Sequence, residues 1–259
     1  MTTKKNVAKT GNGTKSGSTA KSGDIAKTEK AGALTNPGAP ARGFEDGYDN
    51  EDLIIPRAKL LQGLSPEVVN DGLRVGTVIN CLTKETLPET FIPIFVFKNY
   101  IRFNPKDKSN NGYNPDFEPG AIIWRSNDAR DERVITETKF GENGEKPLAT
   151  SFLNFFSYFP GVPMPIIVSF SKTSYKTGKN LLSLAKFTRG DMFSRVYRLD
   201  TEKKINDSNT YFILKVAPSG MATKEDYAVA ESWWNDYSMK KSDIKVHDEE
   251  AGDEEERGY

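Results

Sequence analysis

The chain has 259 residues, with 36 basic and 36 acidic side chains, 11% aromatic residues and a mean hydropathy of −0.59. One cysteine, Cys81, excludes a disulfide framework and cysteine-based zinc sites, and one histidine, His247, excludes two-histidine metal sites and argues against a Ser-His-Asp or Cys-His triad. No apolar run approaches the roughly 18 residues that span a bilayer, and the lysine-rich start lacks the apolar stretch of a secretory signal.

The zero net charge hides an uneven distribution along the chain. Residues 1–42 carry a net charge of +6 and are rich in Gly, Ser, Thr and Ala, so they cannot bury enough apolar surface to offset the entropy of ordering. Residues 248–259 carry a net charge of −6. We therefore expect a disordered basic arm (1–42), a β-rich body (43–240) and a disordered acidic tail (241–259).

The body is predicted to consist of short strands, because β-branched and aromatic runs alternate with turn residues. Ser65 before Pro66 indicates a short helical turn. The strongest strand signal is 91–103, where Pro93 marks a strand start, an edge or a bulge. Residues 53–55 are predicted to form a short strand or an extended pad. In chain order the other predicted strands cover 76–82, 121–125, 133–140, 152–159 and 164–170, and residues 196–199 and 211–216 form a predicted hairpin.

Two helices are predicted in the second half of the chain. Residues 181–187 form a helix or the start of one. Thr223 is a predicted N-cap with Asp226 three residues later, and aromatic residues follow at spacings of three and four up to Tyr237. This aromatic face is predicted to pack on the body, with a partner or dimer surface as the alternative. The whole pattern favours a mainly β barrel or sandwich with a C-terminal amphipathic helix.

Basic residues are interleaved with aromatic residues in three stretches of the body, 97–103, 124–125 and 172–198. Single-stranded nucleic acid needs this mixture, because cations track the phosphates and flat rings stack on the bases. The alternative is a solvated face whose rings point inwards. The candidate binding residues are Lys98, Tyr100, Arg102, Trp124, Arg125, Lys172, Tyr175, Lys176, Lys179, Lys186, Arg189, Arg195 and Arg198, with Tyr100, Trp124 and Tyr175 as the candidates for stacking.

The C-terminal run of acids ends in an aromatic residue, Tyr259. This tail resembles those of single-stranded DNA-binding replication proteins from bacteria and tailed phages, although Arg257 and Gly258 interrupt it. The resemblance implies an elaborated OB-type barrel with extra strands and a C-terminal helix. Segments 43–63 and 91–105 resemble uncharacterised tailed-phage proteins, which suggests a phage origin.

The resemblance implies single-stranded DNA binding without sequence specificity in phage replication or recombination, in the host cytoplasm, with no enzymatic activity, cofactor, metal or membrane partner. The acidic tail is expected to compete with DNA for the basic groove. When released, it is expected to recruit phage or host replication proteins. A homo-oligomer is left open. The candidate partner-binding residues are Glu254, Glu255, Glu256 and Tyr259.

Two alternatives come from other classes of protein. Asp116 after Pro115, followed by Glu137 and Lys139 on a predicted strand, matches the loose PD-(D/E)xK pattern of metal-dependent nucleases, in which carboxylates hold Mg²⁺ and the lysine assists the attacking water. The sequence also allows a phage structural or assembly protein, with the aromatic helix as its assembly surface.

Overall fold

The computed structural model describes residues 54–110, 112–206, 209–240 and 244–246, and this part of the chain is mainly β. The strands are β1 (Ile54–Ile55), β2 (Ala58–Leu60), β3 (Val78–Asn80), β4 (Thr90–Phe103), β5 (Ile122–Ser126), β6 (Thr150–Tyr158), β7 (Ile166–Phe170), β8 (Arg195–Ile205), β9 (Thr210–Met221) and β10 (Lys245–Val246). The helices are α1 (Pro66–Val69), α2 (Glu132–Glu137), α3 (Tyr175–Phe187) and α4 (Lys224–Tyr237), with short 3-10 turns at Lys172–Ser174, Met192–Ser194 and Ser238–Lys240.

The 14-residue strand β4 organises the main sheet, whose order is β7-β6-β4-β8-β9 with β5 also paired to β4. All these pairs are antiparallel. The start of β4 pairs with β8, its middle with β6 and its end with β5. A register shift between Pro93 and Phe95 accommodates the proline, which has no N–H to donate to the ladder.

The main sheet does not close into a barrel within the described residues. β7 and β9 lie at the two ends of the strand order and do not pair with each other. Two small sheets complete the strands, with β2 antiparallel to β3 and β1 parallel to β10. The predicted mainly β class and C-terminal helix are confirmed, whereas the OB-type barrel is not.

The first core cluster packs α3 against the main sheet and combines aromatic with aliphatic side chains. Phe91, Phe155, Phe159 and Phe170 are fully buried there, and Leu181 of α3 packs among them. Core packing therefore accounts for part of the high aromatic content of the sequence, since each ring removes a large apolar area from water.

The second core cluster holds α4 against the sheet. Thr223 Oγ1 accepts a hydrogen bond from Asp226 N at 3.1 Å, which confirms the predicted N-cap. Ala230 is fully buried, while Trp234 remains 42% exposed. The aromatic side chains that pack on this cluster from α4 are Tyr227, Trp233 and Tyr237. The prediction that the aromatic face packs on the body is confirmed.

Most predicted elements are confirmed, with one clear error. The structure contains a strand at 54–55, the described part of the strand predicted at 53–55, and strands within the segments predicted at 76–82, 91–103, 121–125, 152–159 and 164–170. It also contains the hairpin of β8 and β9, the helical turn at Pro66 and the helix at 181–187, which begins earlier, at Tyr175.

The strand predicted at 133–140 is wrong, because α2 occupies its first half. The side chain of Asp131 caps α2 by accepting a hydrogen bond from Arg133 N at 3.0 Å, and Val134 is buried on its inner face. This capping overrides the weak alternation of the segment.

The basic arm, the acidic entry at 44–52 and the tail from residue 247 lie outside the described residues. Their predicted disorder and the proposed domain boundaries stay predictions. Among the residues that the structure describes, no helix is long and apolar enough to cross a membrane.

Candidate nucleic-acid interface

A cleft of about 670 Å³ opens between three segments of the chain. One wall is the loop that follows β4, and the second is the segment from Thr138 to Ser151. The third is formed by Lys172 and Thr173 of the 3-10 turn before α3 and by Tyr175, the first residue of α3. The cleft therefore lies beside the N-terminal end of α3, within the basic stretch that the sequence singled out.

The charge of the cleft is predominantly positive. Lys106, Lys146 and Lys172 line it, and Asp107 is the one acidic residue among its described lining residues. The backbone N and the Oγ of Ser109 donate hydrogen bonds to the Asp107 carboxylate at 2.8 and 2.7 Å, and these bonds lower the pKa of Asp107. Three cations against one anion favour a polyanionic ligand.

Two aromatic rings are available in the cleft. Phe140 is 71% exposed, which is unusual for such a large apolar side chain. Tyr175 is half-buried, and Lys179 Nζ lies 5.7 Å from the centre of its ring. A ring with a cation beside it offers both of the contacts that an unpaired nucleotide uses, stacking for the base and charge for the phosphate.

A buried asparagine keeps the loop wall of the cleft in shape. Asn104 is 1% exposed, and its Nδ2 donates to Asn114 O at 2.9 Å and to Phe117 O at 2.7 Å. Its Oδ1 accepts from Asn114 N at 2.8 Å. One side chain thus ties the end of β4 to the middle of a polar loop, which positions Lys106 at the rim without regular secondary structure.

The basic residues predicted on 172–189 lie along one surface of α3 and its ends. Gly178, Leu181 and Ala185 face the core, so the intervening positions point to solvent. Arg189 follows the helix with a φ of 53°. The exposed basic side chains of this segment are Lys172, Lys176, Lys179, Lys186 and Arg189.

The other predicted basic residues lie on strands and are not gathered with this group. Lys98 on β4 and Arg125 on β5 are exposed, and Arg195 is half-buried. Arg102 is tied by an ion pair of 3.0 Å to Glu137, and Arg198 by one of 2.7 Å to Asp200. The lining of the cleft draws on the stretch 172–198 and not on these strand positions.

Two of the three candidates for base stacking are core residues. Tyr100 is 7% and Trp124 8% exposed, and both pack with Val134 of α2. The Trp124 Nε1 donates a hydrogen bond of 2.9 Å to Glu137 Oε2. Their rings therefore have little exposed surface on which a nucleobase could stack. For these two residues the alternative prediction, that the rings point inwards, is confirmed.

The nuclease pattern does not form a metal site in the described part of the chain. Glu137 lies on α2 rather than on a strand, and both of its carboxylate oxygens already accept hydrogen bonds, from Arg102 and Trp124. Asp116 is exposed in the loop after β4. No group of three or more Asp, Glu, His or Cys side chains suited to a metal ion occurs among the described residues.

Three residues that line the cleft, Lys106, Lys146 and Phe140, are not among the candidates predicted from the sequence. Phe140 follows Lys139 directly, so this pair has the same pattern of a basic residue beside an aromatic residue as the other stretches. The sequence pattern of 133–140 predicts a strand that ends at a turn, and this prediction gives no reason to select Phe140. Lys106 and Lys146 carry no local signal, since only the fold brings their loops to α3.

The tail residues Glu254, Glu255, Glu256 and Tyr259 lie outside the described residues, so their role as a partner-binding site stays a prediction. A family model described as Pam3 phage gp34-like protein matches residues 25–243, which is most of the chain. No curated protein and no solved structure matches it. The chain therefore belongs to the Pam3 phage gp34-like protein family, and the phage origin suggested by segments 43–63 and 91–105 is confirmed.

Proposed function

We propose that this phage protein binds single-stranded DNA without sequence specificity, with the cleft beside α3 as the primary contact surface. The observation that carries the proposal is the meeting of Lys106, Lys146 and Lys172 with the exposed ring of Phe140 and the half-buried ring of Tyr175 in one cleft. The exposed lysines of α3 extend the positive surface beyond it.

The combination favours an unpaired strand over a duplex. Cations alone bind any polyanion, because they neutralise phosphates whatever the bases do. An exposed ring adds affinity only for bases whose faces are open, and a duplex keeps those faces stacked. Both contacts are tolerant of sequence, since every base has a flat face and every nucleotide a phosphate.

The proposed biological setting is phage DNA replication or recombination. A basic surface that covers single strands has to release them again, and the acidic tail offers a competitor for the same lysines. When DNA occupies the cleft, the displaced tail and Tyr259 become available to phage or host replication proteins.

The first test is fluorescence anisotropy with a labelled oligo-dT of about thirty nucleotides, measured over a range of salt concentrations in the presence of Mg²⁺. We expect tight binding at low salt, with log K falling by about 0.7 per phosphate contact for each unit of log salt. A duplex of the same length is expected to bind more weakly, and equal affinity for both would contradict the stacking contribution.

Phe140→Ala is the most direct variant, because its ring is exposed and its removal leaves no core cavity. Loss of one stacked base costs about 1–3 kcal/mol, so we expect affinity to fall roughly 5- to 150-fold. The matched control is Phe187→Ala, since Phe187 is 81% exposed at the far end of α3 and outside the cleft. Equal losses in the two variants would argue against the cleft.

Charge is tested in the same way with Lys146→Gln in the cleft and Lys224→Gln at the start of α4. Lys146→Gln is expected to weaken binding and to reduce the slope of log K against log salt by the equivalent of about one phosphate contact, whereas Lys224→Gln is expected to leave this slope unchanged.

A denaturing gel run after the binding measurement shows whether the DNA is still intact. Cleaved DNA would favour the nuclease, and absence of binding at low salt would favour the assembly role.

A further inference from the structure

Arg57 is a buried cation whose guanidinium is not fully satisfied. Its residue is 5% exposed, and its Nε and Nη2 atoms are buried without a hydrogen-bond partner among the described residues. Its backbone is fixed from both sides, because Arg57 N donates to Cys81 Sγ at 3.0 Å and Cys81 N donates to Arg57 O at 3.0 Å. An arginine side chain stays charged at any physiological pH.

Such an arrangement is costly for the free protein. Buried polar groups are nearly always hydrogen-bonded, and buried N–H donors of a charged group that lack an acceptor are destabilising. A guanidinium left in this state therefore points to an anion that binds there, since an apolar side chain of the same size would stabilise the fold better.

The surroundings of Arg57 are suited to an anion. Arg57 lines a small pocket of about 110 Å³, large enough for a compact ligand, together with Ser171, Lys172, Thr173 and Ser174. No acidic side chain occurs among the described residues that line it. Lys172 provides an ammonium, Arg57 a guanidinium, and the serine and threonine side chains provide hydroxyl groups. A phosphate accepts hydrogen bonds from groups of these kinds.

The N-terminal end of α3 also favours an anion in this pocket. Ser174 is the N-cap residue of α3, and its side chain makes no capping hydrogen bond. The pocket therefore lies at the end of a 13-residue helix where the backbone dipoles favour negative charge. Arg57 and the helix end approach the pocket from distant parts of the sequence, so the two observations are independent.

We infer that the Arg57 pocket binds a phosphate monoester, such as the phosphorylated end of a DNA strand, a mononucleotide or free phosphate. A terminal group fits better than an internal phosphodiester, because a small pocket receives one substituent, whereas an internal phosphate needs a path for the chain on both sides. Lys172 and Thr173 line both this pocket and the cleft. The strand end as the source of the phosphate rests on the proposed function, but the affinity for phosphate does not.

The first experiment is a thermal unfolding series on the full chain with inorganic phosphate, against chloride and acetate at matched ionic strength. We expect phosphate alone to raise Tm. Arg57→Met keeps an unbranched apolar stem but removes the guanidinium, and it is expected to abolish this rise while leaving the phosphate-free Tm unchanged or higher. A rise that persists in Arg57→Met, or no rise in the native chain, would overturn the inference.

A second variant covers the case in which Arg57→Met does not fold. Ser174→Asp retains a favoured N-cap residue and brings a carboxylate into the pocket. It is expected to raise the phosphate-free Tm by pairing with Arg57 and to remove the response to phosphate. An undiminished response in this variant would show that the phosphate binds elsewhere.

The source of the phosphate is then identified with oligo-dT carrying a 5′-phosphate, a 3′-phosphate or hydroxyl ends, and with dTMP. A phosphorylated end gains charge-assisted hydrogen bonds, so we expect about tenfold tighter binding that is lost in Arg57→Met. Equal affinity for all oligonucleotides, together with a thermal response to phosphate, identifies the free ion or a mononucleotide as the source. Binding of the hydroxyl-ended oligonucleotide without any phosphate response would leave the proposed function standing and reject this inference.

Discussion

At the scale of the residue, one buried carboxylate links α1 to β2 and to the loop that follows β3. Glu67 on α1 is 3% exposed, and both of its oxygens accept hydrogen bonds of 3.0 Å from Lys59 Nζ on β2, while Lys84 Nζ donates to Oε1 at 2.9 Å. Burial alone would raise the pKa of Glu67, but the bonds from Lys84 and Lys59 outweigh it and lower the pKa from 4.5 to about 2.

This geometry predicts a stability that depends on pH. Because the folded-state pKa lies below the unfolded one, the contribution is fully present above about pH 4.5 and is lost as the pH falls towards 2. It is on the order of 3 kcal/mol. We expect Glu67→Gln to lower the unfolding free energy at neutral pH, because it removes the negative charge that Lys59 and Lys84 bind, and to flatten the decrease between about pH 4.5 and 2.

Urea unfolding at neutral and acidic pH measures both effects. The control is Asp131→Asn, whose pKa is also lowered to about 2, chiefly by the Arg133 side chain, but which lies on a more exposed pair and remains a good N-cap residue. If the two variants lose the same stability at neutral pH, the buried ion pairs of Glu67 are not worth more than a surface pair.

At the scale of the element, α3 lies unusually close to the sheet at one glycine. A Cβ added to Gly178 would come within 2.7 Å of Phe170 Cβ, closer than real Cβ atoms approach their neighbours. Glycine is otherwise unfavourable in a helix interior, at about 1 kcal/mol relative to alanine. Its presence here is explained by the close contact between α3 and β7.

Gly178→Ala is therefore expected to destabilise the protein, although alanine is the better helix former. Overpacking of a tight contact costs about 1–3 kcal/mol, which exceeds the gain in helix propensity. Ser183→Ala on the exposed side of α3 is the matched control and is expected to be neutral or slightly stabilising. Thermal unfolding of both variants decides the sign, and a stabilised Gly178→Ala would mean that α3 can move away from β7.

At the scale of the whole molecule, the sequence predicted elements better than their arrangement. Local sequence patterns predict strands such as β4 and the N-cap at Thr223, because each depends on residues that are close in the sequence. Barrel closure depends on which distant strands pair, and no local pattern carries that information. The cleft could not be predicted from the sequence for the same reason, since Lys106, Lys146 and Lys172 belong to separate segments.

The topology also gives the acidic tail a starting point near the proposed phosphate site. β10 pairs in parallel with β1, so that Val246 lies opposite Ile55, two residues before Arg57. An extended chain covers about 3.3 Å per residue, so residues 248–259 span up to about 40 Å. In the sequence the tail follows β10 directly, and β10 pairs with the strand that precedes Arg57.

Deleting residues 248–259 is accordingly expected to tighten DNA binding several-fold at low salt, because phosphates no longer compete with carboxylates for the same cations. The gain is expected to shrink at higher salt, where the charges of the tail are screened. The deletion begins after β10 and leaves every described strand intact. A chain of native length with the tail acids replaced by Gln and Asn should bind like the deletion, whereas unchanged affinity in both variants would exclude competition by the tail.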